Sequence, residues 1–597
     1  MQRLVIVLLH DRFGRIDAGT RRFLEGLRPF AQRLHVVVNG ALGNDGQRAL
    51  AGLSDDLLVR ENTGFDVGGY RAAIEAIGPR RLARFDELLM TNSTNFGPVE
   101  VFPGRGATFA HIFERQDARD VDVWGMTQHG EITPNPYTFR GTLPAHLQSN
   151  WLAVRASVLR SDAWAQYWAS MPEITSYDDS IRHHESRFTQ FFADAGFRCE
   201  PVFAAAPFGV ANPSIEQPLA LLRAGCPIVK RRLFFHDPVE LDHRAVDVPE
   251  VARAMAAGGF DAGVIVHSAA LTTPPRTLAS ALGGVRTLRE PARLTRDGHP
   301  ETAATSGGEV AIVGGMRMRR VEGNLWRRLA DNPRGLLDDV DFIVSRGAYP
   351  VLGAIPPAEV GTRAITAGGD DDGGQVVDER PEHIADPAAV RAARDAGNAL
   401  LADPTPIAWA LADEPALGAI VPLTPHIGSE AIGHGWLGRR DAVEELTVRL
   451  GLDGPLDEHG PAAPYSAVAV YRPAALRPLA DVFRALGGWG PLVAQTHGGG
   501  PELERQLDLL ASRIVLTAGY LTVEVGTVAQ LEASLAHLQA KYAEVAGMLP
   551  PGAREPIRYL RARRRGALSP EAIGETLVRR APKFAQSLRA AIARWRS

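Results

Sequence analysis

Cysteine is nearly absent from this 597-residue chain: Cys199 and Cys226 are the only two. Two thiols build no disulfide framework, so a reducing, cytoplasmic setting is expected. Long apolar runs are missing too, and none approaches the ~20 residues that a bilayer span needs. The run Leu4–Leu9 is followed at once by His10, Asp11 and Arg12, which suits a buried first strand and not a signal segment. There is no Walker loop, serine-hydrolase elbow, zinc-ligand spacing or internal repeat, and His267, His426 and His434 stand isolated. What is present is a globular composition, 45% hydrophobic and 22% charged. At roughly 150 residues per domain, the length suggests three or four units.

Net charge is small overall but unevenly spread. The net charge is -4, yet residues 551–597 hold twelve Arg plus Lys against three Glu, a local +9 that leaves -13 for the rest. In this tail Phe584, Leu588, Ile592 and Trp595 fall at helical spacing among Arg579, Arg580, Lys583, Arg589, Arg594 and Arg596. A basic amphipathic helix ending in Trp fits an anionic membrane surface; a helix packed on the acidic body is the alternative. So short a tail, nearly free of aromatics, does not point to nucleic acid.

Along the first 240 residues, strand-like and helix-like patterns alternate, the mark of an α/β domain with a mainly parallel sheet. Strands are expected at Leu4–Leu9, Leu34–Val38, Leu57–Arg60, Phe85–Thr91, Val121–Thr127 and Leu152–Val154, and an amphipathic helix over Ser180–Ala195. The boundaries read as a first domain over 1–270, a linker over 271–308, a middle α/β region over 309–400, a C-terminal α/β domain over 401–549 and the basic helical tail over 550–597. The aspartates 370–372 are flanked by glycine pairs and are expected as a solvated loop, not a metal motif.

Three clusters in the first domain could carry chemistry. In the segment Arg60–Tyr70, Gly64, Gly68 and Gly69 let the backbone turn tightly against a ligand, while Glu61, Asn62 and Asp66 offer polar contacts. In Leu88–Pro98 a buried strand ends in Asn92 and Ser93, placing amides and hydroxyls at the carboxyl edge of a parallel sheet, where open α/β folds bind ligands. In Asp178–Thr189, Glu185 stands one or two positions off the apolar stripe of its helix, facing either solvent or a cleft. Each cluster alone has an ordinary explanation: a capped turn, a polar loop, a solvated carboxylate.

Their order and spacing resemble the inverting family 2 glycosyltransferases of GT-A fold, and more closely the rhamnan synthesis protein F family. The resemblance rests on the block from Glu61 to Tyr70, Thr91-Asn92 with Phe96-Gly97-Pro98, and Trp124-Gly125-x-Thr127. It continues through His146-Leu147-Gln148-Ser149, Glu185 with Thr189, Asn212-Pro213, and Gly225-x-Pro227-x-x-Lys230-Arg231. It implies a GT-A-like, Rossmann-type first domain followed by a divergent α/β second half, which is expected to act as scaffold or acceptor-binding domain. It further implies transfer, with inversion, of rhamnose from dTDP-rhamnose to a lipid-linked surface polysaccharide, by a peripheral protein at the inner face of the plasma membrane.

On this reading Glu61, Asn62, Gly64, Asp66, Gly68, Tyr70, Asn92 and Ser93 bind the donor. Glu185 is the general base, with His146 the alternative, and Gln148, Lys230 and Arg231 serve the acceptor or the phosphates. The family usually carries Asp where this chain has Ser93, so a bound Mg2+ or Mn2+ is expected to be weakened or absent, with Lys230, Arg231 or Arg232 able to take over the diphosphate charge. The rival reading is a non-catalytic carbohydrate-binding or assembly protein that keeps the fold.

Overall fold

The computed structural model describes residues 1–100, 108–137, 140–287, 309–348, 351–352, 386–427, 433–550 and 556–564. The aspartates 370–372 and the apolar stripe from Phe584 to Trp595 lie outside the described residues.

The chain is α/β, as its alternating pattern predicts. The first sheet holds β1 (Arg3–Leu9), β2 (Arg33–Asn39), β3 (Asp56–Arg60), β4 (Glu87–Asn92), β6 (Val123–His129), β7 (His146–Leu147), β8 (Trp151–Arg155) and β9 (Cys199–Phe203). Its order is β3-β2-β1-β4-β8-β6-β7, with β9 on β6. The pairs β1–β2, β2–β3, β1–β4 and β6–β9 are parallel, whereas β8 runs antiparallel between β4 and β6. β1 and β4 are buried along their whole length because helices cover both faces, which is why they read as near-continuous apolar runs. β3 forms one edge, and there Leu57 and Val59 are exposed.

The amino-terminal end of this sheet is tied by a buried polar knot. Glu87 accepts from Trp124 Nε1 at 2.8 Å and pairs with Arg3 and Arg155. At the carboxyl end a small antiparallel ribbon, β5 (Asn95–Phe96) with β10 (Val229–Lys230), sets Lys230 opposite Asn95.

The second sheet has the order β11-β17-β15-β16-β14-β13-β12. Its strands are β11 (Val285–Thr287), β12 (Val310–Val313), β13 (Met316–Glu322), β14 (Phe342–Arg346), β15 (Leu417–Pro422), β16 (Val468–Tyr471) and β17 (Leu521–Gly526). The regions 309–400 and 401–549, expected as separate units, thus contribute strands to one sheet, joined where β14 pairs antiparallel with β16. The stretch 271–308, expected as a linker, begins with the helix Pro275–Ala281 and β11, which pairs with β17. One apolar core runs from Phe96 and Val229 through the helices at 213–282 to Val523 and Val525 of β17, so the two sheets share packing.

Candidate functional site

The carboxyl edge of the first sheet gathers the polar residues. β4 ends in Asn92, whose Nδ2 donates to Asp66 Oδ2 at 2.5 Å while its Oδ1 accepts from Thr94 N at 3.2 Å. Asp66 opens the helix Phe65–Ile77, whose cap is Gly64 at φ 70°. That left-handed cap suits glycine, and Gly68 and Gly69 are needed for close approach. A Cβ on Gly68 would stand 2.4 Å from the Thr63 carbonyl oxygen, and one on Gly69 would stand 1.9 Å from Leu8 Cδ1. Asn39, at the end of β2, donates to the Phe65 carbonyl at 2.9 Å and accepts from Arg60 at 2.7 Å, which fixes the turn from below. Ser93 is half-buried, with its backbone N–H on the Leu8 carbonyl at 3.0 Å. Glu61 and Asn62 are exposed on the outer side of the turn.

Glu185 faces this edge. It lies in a π-helical turn, Ile181–Glu185, at the start of the helix Ser186–Asp194. The wide turn keeps Ile181, His184 and Phe188 in the core and leaves the Glu185 side chain 23% exposed. Oε2 of Glu185 accepts from Ser149 Oγ and from Ser149 N–H, the latter at 3.2 Å, and His146 Nε2 stands 3.8 Å from Oε1. Burial would raise the pKa of this carboxyl, but His146, Ser149 and the charge of Lys230 together pull it down to about 2. Thr189, one turn on, accepts from Leu147 N–H at 2.9 Å and so clamps β7 onto the same helix.

Lys230 completes the cluster. Burial drives its ammonium down to about 8, against the opposing pull of Glu185 and Asp66. Asp66 is pushed up by burial, with Glu185 adding to that and Asn92 and Lys230 opposing it. Glu185, Asp66 and Lys230 therefore sense one another's charge at the carboxyl edge of the first sheet.

Several residues expected in the site do other work. Arg231 turns away: its guanidinium pairs with Asp17 at 2.6 Å, donates to Thr20 Oγ1 at 3.0 Å and to the Asn95 carbonyl at 3.2 Å, and lies 4.6 Å over the Phe96 ring. Gln148 is 5% exposed and takes Thr127 and Ser214 hydroxyls on Oε1, at 2.7 and 2.5 Å. Tyr70 is fully buried in the core under the turn. The polar atoms of Arg231 and Gln148 are thus committed to partners within the chain.

Other side chains reach the site without having been anticipated. His10 at the end of β1 bonds through Nδ1 to the Asn39 carbonyl at 2.8 Å and lies near enough to Asp66 to lower its pKa. Tyr177 and Tyr137 sit near Glu185 and Arg232; burial pushes the Tyr137 phenol up to about 12 and raises that of Tyr177. His129 stacks on His146 with ring centroids 5.0 Å apart. Beside that stack a cavity of about 400 Å³ is lined by Gln128, Glu131, Ala145 and Ala206, among others. His10 was readable in principle, as the polar residue directly after a buried parallel strand; the two tyrosines lie in loops that carry no pattern.

Residues 34–273 match the family described as rhamnan synthesis protein F. No curated protein matches the chain. Among solved structures, 4-diphosphocytidyl-2C-methyl-D-erythritol synthase from Anaerococcus prevotii is 13% identical over 34% of this chain and 86% of its own, with a TM-score of 0.22. HddC from Yersinia pseudotuberculosis is 9% identical over 34% and 91%, with a TM-score of 0.21. A cytidylyltransferase from Leptospira borgpetersenii is 8% identical over 34% and 75%, with a TM-score of 0.19.

Proposed function

We propose that this chain, whose residues 34–273 match the rhamnan synthesis protein F family, is a glycosyltransferase that uses a nucleotide-sugar donor. The observation that carries the proposal is Glu185, hydrogen-bonded by Ser149, with His146 beside it and the charges of Lys230 and Asp66 within its reach. In the transfer, the acceptor hydroxyl oxygen attacks the anomeric carbon and its proton passes to Glu185. The bond from that carbon to the diphosphate breaks, and the electron pair leaves with the nucleoside diphosphate. Attack and departure lie on opposite faces of the sugar, so configuration inverts. His146 holds the carboxylate in place and leaves the base role to Glu185.

The leaving charge falls to Lys230, with the exposed Arg232 beside it. The donor set does not suit a divalent ion: Ser93 brings no charge, Asp66 is engaged by Asn92, and the nearby ammonium repels a second cation. Asp66, Asn92 and Ser93 then serve the sugar and nucleoside hydroxyls. The family resemblance points to dTDP-rhamnose as donor and a lipid-linked saccharide as acceptor at the inner membrane face, with the basic tail as the membrane contact. Among the described residues no helix is long and apolar enough to cross a membrane.

A thermal-shift panel with dTDP, UDP, GDP and CDP, each with and without Mg2+ or Mn2+, tests the donor site. One nucleotide is expected to raise the melting temperature with or without metal, since ligand at 100 times its Kd adds ~2.7 kcal/mol of stability. Stabilisation only with metal would overturn the Lys230 assignment, and no shift with any nucleotide would favour a non-catalytic assembly protein. Glu185→Gln should lower turnover by about 100- to 10,000-fold with donor binding retained; full activity in that variant removes Glu185 as the base.

A further inference from the structure

The second sheet repeats the first. Its run β13-β14-β16-β15-β17 has the spatial order of β1-β4-β8-β6-β9, and the strands follow one another along the chain in the same succession. Directions agree as well: β13–β14 and β15–β17 are parallel, and β16 lies antiparallel between β14 and β15, as β8 does between β4 and β6. Small contacts recur with the strands. Asp86, just before β4, accepts from Gln2 N–H at 2.7 Å, and Asp341, just before β14, accepts from Arg317 N–H at 2.6 Å. Ser149, Arg155, Leu159 and Arg160 reappear at the same spacing as Ser466, Arg472, Leu476 and Arg477. The helices leading into β9 and β17 both end in Ala-Gly-aromatic, with Gly196 at φ 89° and Gly519 at φ 86°. Eleven residues before those glycines stand Glu185 in the first half and Asp508 in the second. The sequence pattern alone shows no repeat, since so few residues recur.

We propose that the second half is a second copy of the transferase fold whose site has closed, with Asp508 in the place of Glu185, leaving one donor site and one base in the chain. The role that Asp508 has lost rests on Glu185 being the base; the repeat rests on topology. Trp326, on the helix Leu325–Asp331, donates through Nε1 to Asp508 Oδ1 at 2.8 Å, and the carboxyl is buried. Burial pushes it up to about 8, so at neutral pH it already holds a proton and takes none from an acceptor hydroxyl. The donor half is missing too. Between β1 and β4 the first copy inserts β2, β3 and the turn that carries Asp66, whereas β13 and β14 are joined by two short helices, Leu325–Asp331 and Pro333–Leu337. Gly347 stands where the first copy has Asn92. At the carboxyl ends of β15 and β17 the Arg276 guanidinium pairs with Glu524 at 3.4 Å and donates to the Pro461 carbonyl at 2.7 Å, occupying an edge of the kind where open α/β sheets bind ligands.

Thiol accessibility reads the closure directly. In a Cys199→Ser background, Glu185→Cys should react with a maleimide in the folded chain and Asp508→Cys only in denaturant; prompt reaction at 508 overturns the proposal. Titration of the full chain with dTDP, UDP, GDP and CDP in turn should find one bound nucleotide, weakened in Lys230→Met. A second nucleotide that persists in Lys230→Met overturns the closed copy, whereas no binding at all overturns the donor reading of the first half and agrees with a closed second one. In turnover assays Asp508→Asn should match wild type while Glu185→Gln falls by about 100- to 10,000-fold. Loss of turnover in Asp508→Asn at unchanged melting would make Asp508 a working base and overturn the proposal.

Discussion

Lys230 and Arg231 are neighbours in sequence with opposite surroundings, and their substitutions should separate accordingly. Arg231 holds Asp17, Thr20 and the Asn95 carbonyl, and burial of Asp17 is outweighed by Arg231, so the carboxyl sits below its usual value. Arg231→Met leaves that carboxylate half-buried and unpaired, and should cost about 2–3 kcal/mol in denaturant melts, with the loss shrinking as pH falls below about 4 and Asp17 protonates. Lys230→Met should melt near wild type yet weaken nucleoside diphosphate binding by at least about 30-fold. Because burial brings the Lys230 ammonium down to about 8, nucleotide Kd should rise as pH climbs above that value in wild type and not in Lys230→Met, and titration calorimetry from pH 7, where the nucleotide's own phosphate is ionised, checks it.

At the scale of elements, the strand–turn–helix at 56–77 depends on three glycines, Gly64, Gly68 and Gly69. Gly68→Ala drives a methyl into the Thr63 carbonyl, so the turn carrying Asp66 must move. The expected cost is about 1–3 kcal/mol in stability, together with a loss of nucleotide affinity that Lys230→Met shows without the stability change. The helix Gly499–Leu509 carries a different burden. Burial raises the Asp508 carboxyl to about 8, although Trp326 Nε1 donates to it at 2.8 Å, and Glu504 rises to about 7. Asp508 is protonated in the folded chain up to about 8 but ionises near 4 when unfolded, so stability falls as pH climbs through that window. Asp508→Asn keeps the acceptor and removes the titration; its melting temperature should decline less than that of wild type between pH 6 and 9.

The sequence made local elements legible and long-range pairing illegible. β1, β2, β4, β6 and β8 announced themselves because strands buried on both faces are apolar nearly throughout, and Gly64–Asp66 announced a turn because few residues other than glycine adopt its cap. Glu185 was visible as a carboxylate off the apolar stripe, but only the π-helical turn settles which way it points. The partners of Arg231 and Gln148 were not legible, because a motif does not record which side of the backbone a residue serves.

In the whole molecule the blind spot is larger. The pairing of β14 with β16 crosses more than a hundred residues, so the second sheet read as two units, and β11 read as linker because three residues carry no period. Since one apolar core spans both sheets, calorimetry of the full chain should show a single cooperative transition; two separate ones would mean that the shared packing contributes little.

That common core also constrains how the protein can change. The family match ends at 273, yet Leu278 and Leu282 lie beyond it in the same packed cluster as Phe234 and Val523. A fragment trimmed at 273 would carry every residue of the candidate site and still present a raw hydrophobic wall to water, inviting aggregation. Grafting on a foreign second half would succeed only where its side chains interlock with that wall. The two halves are therefore bound to be inherited, swapped and engineered as one piece.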